Sequence, residues 1–382
     1  MAIDRYDLTY RARVRPAAAG QPTIVFLPGG PGNTSIGDDM SGFVPADFGL
    51  VQTDPRGVGC NELATPAADP LAFYSTDQIA DDVIAMIDHL ALDNYVLYGH
   101  SYGTELATVV ASRLGTAPRA VLLEGVLGRA FHSDELPAQA YSDQWANVLR
   151  PGLPADALAI LDGDAPLGID GALWGKYMMA MMPRGAGAQG HPLVNALLAL
   201  SQEVATQTGT NVDDNRAALA AEVRSFAELE GVTPAGLTLQ RHVACREITD
   251  KIPSDNVDVV LDHGLLVPSP RVGTLCTGLA LDAPYDAATD RIVVPSFYFV
   301  GDLDPATPKL QSDYHFAANT ASRRTRVTIK GGGHLPLHFN LATDPEPCAL
   351  AIVGAVATGG DLAAALGTCK RPTTVDDAPA AD

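Results

Sequence analysis

Three short stretches of the chain carry residue types that together can do nucleophilic chemistry. Gly99-His100-Ser101-Tyr102-Gly103 sets a serine between two glycines in the G-x-S-x-G pattern. Asp304 lies within Gly301-Asp302-Leu303-Asp304-Pro305-Ala306-Thr307-Pro308, and His334 closes Lys330-Gly331-Gly332-Gly333-His334. A serine hydroxyl is a poor nucleophile until a base takes its proton. His334 is the candidate base, and later the acid for the leaving group; Asp304 would hold the imidazole in one tautomer and stabilise the imidazolium. Asp302, two positions before Asp304, is the rival acid. His338 is the rival base, expected on a following helix, and His100 is expected to point away from the serine. A fourth stretch, Pro28-Gly29-Gly30-Pro31-Gly32-Asn33, makes a rigid loop whose backbone N–H groups can face an oxyanion. Gly30 is the first choice of donor and Gly29 the next, with the N–H of Tyr102 completing the pair.

Each stretch follows an apolar run of strand length. Thr23–Leu27 precedes the glycine loop, Asn94–Tyr98 the serine, Ile292–Val300 the acid, and Thr325–Ile329, expected to be the last strand, the histidine. Tyr6–Val14, Gly49–Thr53 and Arg119–Leu123 also read as strands. Helices are expected at Thr104–Leu114, Lys309–Ala318 and Thr76–Leu90, the last amphipathic with Thr76 or Asp77 near its N-cap. Asp54 and Arg56, in Asp54-Pro55-Arg56-Gly57-Val58-Gly59, read as loop braces. The alternation points to an α/β core, a mostly parallel sheet flanked by helices. Between residues 131 and 286 strand-like runs vanish, and helices are expected at Glu135–Leu149, Leu173–Met182, Pro192–Thr206, Asp214–Glu230 and Leu237–Thr249. Residues 1–130 and 287–382 then form two parts of one core, and 131–286 a helical cap inserted between them. Met178, Met179, Met181 and Met182 either line an apolar pocket or serve ordinary helix packing.

The 382 residues are 47% hydrophobic and carry a formal net charge of −20. That balance argues against a nucleic-acid partner, which needs a basic footprint; it serves solubility or favours substrates with a positive group. No run of about 18 apolar residues is present, so no membrane span is expected. The glycine loop lacks the Gly-Lys-Ser/Thr of a phosphate cradle and no His/Cys/carboxylate cluster has ligand spacing, so no cofactor and no metal are expected. Five cysteines occur, none in a C-x-x-C pair, and the 245/276 and 348/369 spacings could each close a local loop.

The chain order serine, acid, histidine is that of the α/β-hydrolases, and the motifs resemble one family of them. Pro28–Gly32 resembles the HGGPG loop of proline iminopeptidases and actinobacterial tripeptidyl aminopeptidases, with Pro28 where the family has His. Asp54–Gly59 resembles their D-x-R-G-x-G segment, Gly99–Thr104 the G-x-S-Y-G-T elbow of the tripeptidyl branch, and Gly301–Pro308 its G-x-x-D-x-x-T-P acid loop. The resemblance implies an α/β-hydrolase fold with a helical cap and a serine exopeptidase that releases a proline- or tripeptide-type unit from a free N-terminus. It implies bridges Cys245–Cys276 and Cys348–Cys369, with Cys60 left over, which suits an oxidising compartment. Carboxylates of the cap would meet the substrate ammonium, and Glu247, Asp250 and Glu203 are the candidates. The first residues, MAIDRYDLTYRARV, contain no apolar signal segment, so export with a signal outside these residues and a cytoplasmic location both stay open. Three activities also stay open: an aminopeptidase, a carboxylesterase or lactonase acting on a small apolar metabolite, and a binding protein that kept the fold without catalysis.

Overall fold

The computed structural model describes residues 2–3, 8–131, 140, 143–152, 217, 221, 234–248, 258–262, 265–268, 276–338 and 348–381. The strands that build the core are β1 (Ala12–Arg15), β2 (Thr23–Leu27), β3 (Gly49–Thr53), β4 (Tyr95–His100) and β5 (Ala120–Glu124), joined later in the chain by three more. Between them run α1 (Thr76–His89) and α2 (Tyr102–Arg113). After the insertion, which holds α3 (Pro234–Val243) and a hairpin of β6 (Asp258–Asp262) and β7 (Leu265–Pro268), come β8 (Ser296–Gly301), α4 (Lys309–Ala318) and β9 (Arg324–Ile329). The chain closes with α5 (Cys348–Thr358), α6 (Leu362–Leu366) and β10 (Thr373–Ala378).

One eight-stranded sheet results, in the order β10-β9-β8-β5-β4-β2-β3-β1. The six central strands are parallel, and β1 and β10 close the two edges antiparallel. Parallel strands end on one edge of the sheet, and the strand order reverses beside β2 and β4. Loops after β2, β4, β8 and β9 therefore converge where such sheets place their ligands. Because both faces are covered, the strands read as continuous apolar runs. Val25, Leu97, Val121 and Leu123 pack on one face with Ile79, Val83 and Met86 of α1 and Leu106 and Val110 of α2. Ile24, Phe26, Val96, Tyr98 and Leu122 pack on the other with Ile352, Val353 and Val356 of α5.

Several boundaries differ from the sequence reading. β4 runs on through Gly99 and His100, which still pair with Leu123 and Glu124, and α2 begins at once with Tyr102. The Ile292 run becomes strand only at Ser296, after Pro295, which has no N–H for a ladder. Tyr6–Val14 is not one strand: Leu8–Thr9 pairs with Ala2–Ile3, and Ala12–Arg15 joins the main sheet. The cap of α1 is Ser75, whose side chain accepts from Gln78 N at 3.3 Å. Thr325–Ile329 is not the last strand, since β10 pairs beyond it. The polar run TTVDDA hides that strand, which is held partly by an ion pair, Arg326 Nη2 to Asp376 Oδ2 at 2.7 Å.

The insertion is not free of strands either, as β6 and β7 show. The Leu237–Thr249 helix appears as α3 followed by a wide turn, Ala244–Ile248. Of Glu135–Leu149, the wide turn Trp145–Leu149 is described. The helices expected at Leu173–Met182, with its four methionines, and Pro192–Thr206 lie outside the described residues, as does Asp214–Glu230 apart from positions 217 and 221. Where the chain enters and leaves the insertion, Arg129 and Asp286 form an antiparallel bridge. Phe131 N donates to Ile248 O at 2.7 Å, and Tyr285 N to Glu247 O at 2.7 Å. Disulfides join Cys245 to Cys276 and Cys348 to Cys369, and Cys60 is free and exposed. Among the described residues no helix is long and apolar enough to cross a membrane.

Candidate active site

Ser101 stands at the turn from β4 into α2 with φ +53° and ψ −122°, a backbone region that residues with a side chain rarely adopt. The flanking glycines make the turn possible. A Cβ on Gly99 would lie 2.2 Å from Gly103 O, and one on Gly103 would lie 2.1 Å from Leu27 O. The turn is fixed by main-chain bonds: Ser101 N donates to Glu124 O at 2.8 Å, and Thr104 Oγ1 donates to Ser101 O at 2.6 Å. No hydrogen bond among the described residues ties up Ser101 Oγ. Catalytic hydrogen bonds are often long before substrate arrives.

Gly29 approaches the serine from the loop after β2, where a Cβ would come 2.9 Å from Ser101 Cβ and 3.5 Å from Oγ. Gly30 follows at φ +115°, bonded through a cis peptide to Pro31. The Tyr102 N–H belongs to the first turn of α2, whose N–H groups have no partner within the helix. The proposed donors Gly29, Gly30 and Tyr102 thus sit on the loop after β2 and at the start of α2, which meet at Ser101. Beyond them α3 closes on the glycine loop: a Cβ on Gly32 would meet Gly236 O at 2.5 Å.

The loops after β8 and β9 bring the acid and the histidine together. His334 Nδ1 lies 2.9 Å from Asp304 Oδ2 and 3.1 Å from Oδ1. Asp304 is itself held by Ala306 N at 2.8 Å, Thr307 N at 2.9 Å and Thr307 Oγ1 at 2.7 Å. A carboxylate with that many donors is fixed in place and strongly solvated by the protein. The histidine ring reaches toward the serine turn, since a Cβ on Gly125 would lie 3.0 Å from His334 Cε1. Gly125 follows Glu124, whose carbonyl holds Ser101 N.

The rivals serve other ends. Asp302 accepts from Gly331 N at 2.6 Å and braces the histidine loop. His338 lies in a turn, not on a helix, and stacks on Phe43 with ring centroids 4.1 Å apart. Burial and then the neighbouring His100 push its pKa down to about 3, so it is neutral. His100 does point away from the serine: its Nε2 is 3.0 Å from Glu124 Oε2. Burial alone would raise the Glu124 pKa, but His100 and hydrogen bonds from its neighbours hold it at about 2. Asp54 accepts from Ser35 N, Ile36 N and Cys60 N, and Arg56 pairs not with Asp54 but with buried Asp82, at 2.6 and 2.7 Å.

Of the three carboxylates expected to meet an ammonium group, Glu203 and Asp250 lie outside the described residues. Glu247 is buried at the start of α1, where both its oxygens accept from Thr76 N at 3.2 Å. Thr76 Oγ1 in turn donates to Glu105 Oε1 at 3.0 Å and lies 3.1 Å from Tyr102 OH. Burial raises Glu247 to about 7, and raises Glu105 well above the usual carboxylate range. Both line a cleft of about 620 Å³ between α1, α2 and the exit of the insertion; Ser101 and His334 are not among its walls. Among the described residues no group of three or more His, Cys, Asp or Glu is arranged to hold a metal.

Three residues of the site and of the neighbouring cleft had no role in the sequence reading. Thr307 touches both Asp304 and His334, and its signal was its place in the acid-loop motif. Glu124 ends an otherwise apolar strand beside the nucleophile's own strand, and a charge in such a run is a signal in itself. Glu105 sits on the first turn of α2, where an acid reads as an ordinary helix-dipole partner.

The sheet order, the serine turn and the acid–histidine loops define an α/β-hydrolase fold. Residues 22–151 match the family model described as alpha/beta hydrolase fold. Over 159 residues the chain is 31% identical to a proline iminopeptidase of Xanthomonas citri, covering 40% of this chain and 48% of that one. Over 143 residues it is 28% identical to a probable proline iminopeptidase of Leptolyngbya boryana, covering 36% and 43%. The matches span a little under half the length of these relatives. Among solved structures the chain is similar to an alpha/beta hydrolase enzyme from a Medee basin deep-sea metagenome library. There the TM-score is 0.49 at 13% identity, over 94% of this chain and 97% of that one.

Proposed function

We propose that the protein is a serine hydrolase working through Ser101, His334 and Asp304, and that it acts as an aminopeptidase releasing a short N-terminal unit from peptides. The observation that carries the reading is the 2.9 Å bond between His334 Nδ1 and Asp304 Oδ2, on a ring packed against Gly125 beside the serine turn. In this reading His334 Nε2 takes the Ser101 proton as Oγ attacks a carbonyl carbon. The N–H groups of Tyr102 and Gly30, with Gly29 next, meet the oxyanion at the positive end of α2. Collapse of the intermediate expels the leaving group, protonated by His334, and water then hydrolyses the acyl-enzyme by the same steps in reverse roles. The peptidase assignment is supported by the two proline iminopeptidase relatives and by the resemblance of the elbow and acid loop to the tripeptidyl branch. Cap carboxylates would hold the substrate ammonium, with Glu247, Glu203 and Asp250 as the candidates.

A carboxylesterase or lactonase is the second reading, and one observation favours it. Glu247, the one described candidate for the ammonium, lines a cleft whose walls do not include Ser101 or His334, and an esterase needs no ammonium partner. A matched chromogenic panel separates the two: prolyl, alanyl and tripeptidyl anilides with free or blocked N-termini, beside short acyl esters, with Ser101→Ala as control. Turnover of free but not blocked anilides is expected; turnover of esters alone would sink the peptidase reading.

A further inference from the structure

Glu124 has a part in this site that neither its strand nor its burial requires. It is the last residue of β5, opposite His100 on β4, and its side chain is fully buried. Its carbonyl accepts Ser101 N at 2.8 Å. Its carboxylate reaches the other way: Oε1 accepts Leu337 N at 2.6 Å and His338 N at 2.9 Å, three and four residues past His334. Oε2 accepts Tyr98 OH at 2.6 Å and faces His100 Nε2 at 3.0 Å. Upstream of His334 the same loop is held to the core by Leu303 N on Gly332 O, Gly332 N on Ile329 O and Gly331 N on Asp302. Downstream, Glu124 anchors the chain through Leu337 N and His338 N.

We propose that Glu124 is a positioning residue that bonds the nucleophile turn through its main chain and the histidine loop through its carboxylate, and so sets the approach of His334 to Ser101. The proposal rests on Ser101 and His334 acting as a pair. Burying a carboxylate is costly in lost hydration, and apolar packing alone would be served as well by leucine or methionine. Here the cost is offset by two backbone N–H donors and a tyrosine hydroxyl, with His100 Nε2 3.0 Å away. Those donors come from the two segments whose relative placement the reaction needs.

The test uses the full chain and two readouts: the rate of covalent labelling by a fluorophosphonate, and hydrogen–deuterium exchange at 335–338. Glu124→Asp keeps the charge but withdraws the oxygens from Leu337 and His338; Glu124→Ala removes them; Glu124→Gln keeps an acceptor where Oε1 stands. In Glu124→Ala the labelling rate is expected to fall about 100-fold, the size of effect a misplacement near 1 Å produces. Glu124→Asp should slow labelling and deprotect 335–338, and Glu124→Gln should recover most of the rate and the protection. If Glu124→Ala does not fold, Glu124→Asp decides. A folded Glu124→Asp that labels as fast as the unsubstituted protein, or exchanges identically at 335–338, overturns the positioning role alone. Failure of the unsubstituted protein to label overturns the hydrolase reading and this role with it.

Discussion

Thr307 Oγ1 donates to Asp304 Oδ2 at 2.7 Å and lies 3.1 Å from His334 Nδ1. The hydroxyl therefore sits in the angle between acid and imidazole and limits how the ring can turn. Replacing Thr307 with valine keeps the volume but removes the donor. A hydrogen bond to a charged group is worth about 1.5–3 kcal/mol, so the melting temperature should fall by a few degrees and hydrolysis should slow by roughly tenfold or more as the Asp304–His334 pair loosens. Thr307→Ser should restore the rate. Steady-state kinetics on the best substrate of the anilide panel checks both variants.

The turn itself is intolerant of bulk. Gly103→Ala would place a Cβ 2.1 Å from Leu27 O, a backbone atom of the adjoining strand. Either β2 and α2 separate or Ser101 leaves its position. The expected outcome is loss of measurable fluorophosphonate labelling, together with a clear fall in stability seen by thermal unfolding.

Much of this site was legible because its parts are local. The glycines around Ser101, the strand before it and the helix after it are read from one continuous stretch, Tyr95 to Arg113, and the order serine, acid, histidine needs no contact to be seen. The β4 boundary was missed because Gly99 and His100 look like turn residues, yet they remain paired until the chain bends at Ser101. Long-range partners were not legible. Glu124 meets Leu337 across 213 positions, and Glu247 meets Thr76 across 171, so nothing in their neighbourhoods names the other member. The closing strand β10 was hidden for a different reason: its outer edge is solvated, so its residues are polar and carry no apolar alternation.

Glu247 gives the protein a pH dependence of definite sign. Its pKa is raised from 4.5 to about 7 by burial, so the folded chain holds that proton more tightly than the unfolded one. Its contribution to stability is then fully present below about 4.5 and is lost as pH rises through about 7. Relative to Glu247→Gln, the unsubstituted protein should lose at most about 3 kcal/mol across that interval. Paired thermal melts at pH 4.5 and pH 8 should show the gap between the two proteins widening in favour of Gln. A constant gap would contradict the assignment.

Arg56 and Asp82 form a pair with almost no exposure, 1% and 0%. Removing one partner strands the other charge in the core, so Asp82→Ala should cost about 3–5 kcal/mol. Urea unfolding should show the loss as a lower midpoint. Labelling of the protein that remains folded should be unaffected, because the pair braces the loop after β3 and touches neither Ser101 nor His334.

If Ser101 is the nucleophile and His334 its base, Ser101 alone should react with an active-site-directed phosphonate. Mass spectrometry after fluorophosphonate treatment tests it without knowledge of the natural substrate. One adduct is expected, located on the peptide that carries Ser101, none at that peptide in Ser101→Ala, and slow labelling in His334→Ala. An adduct on another residue, or His334→Ala labelling at the full rate, would contradict it.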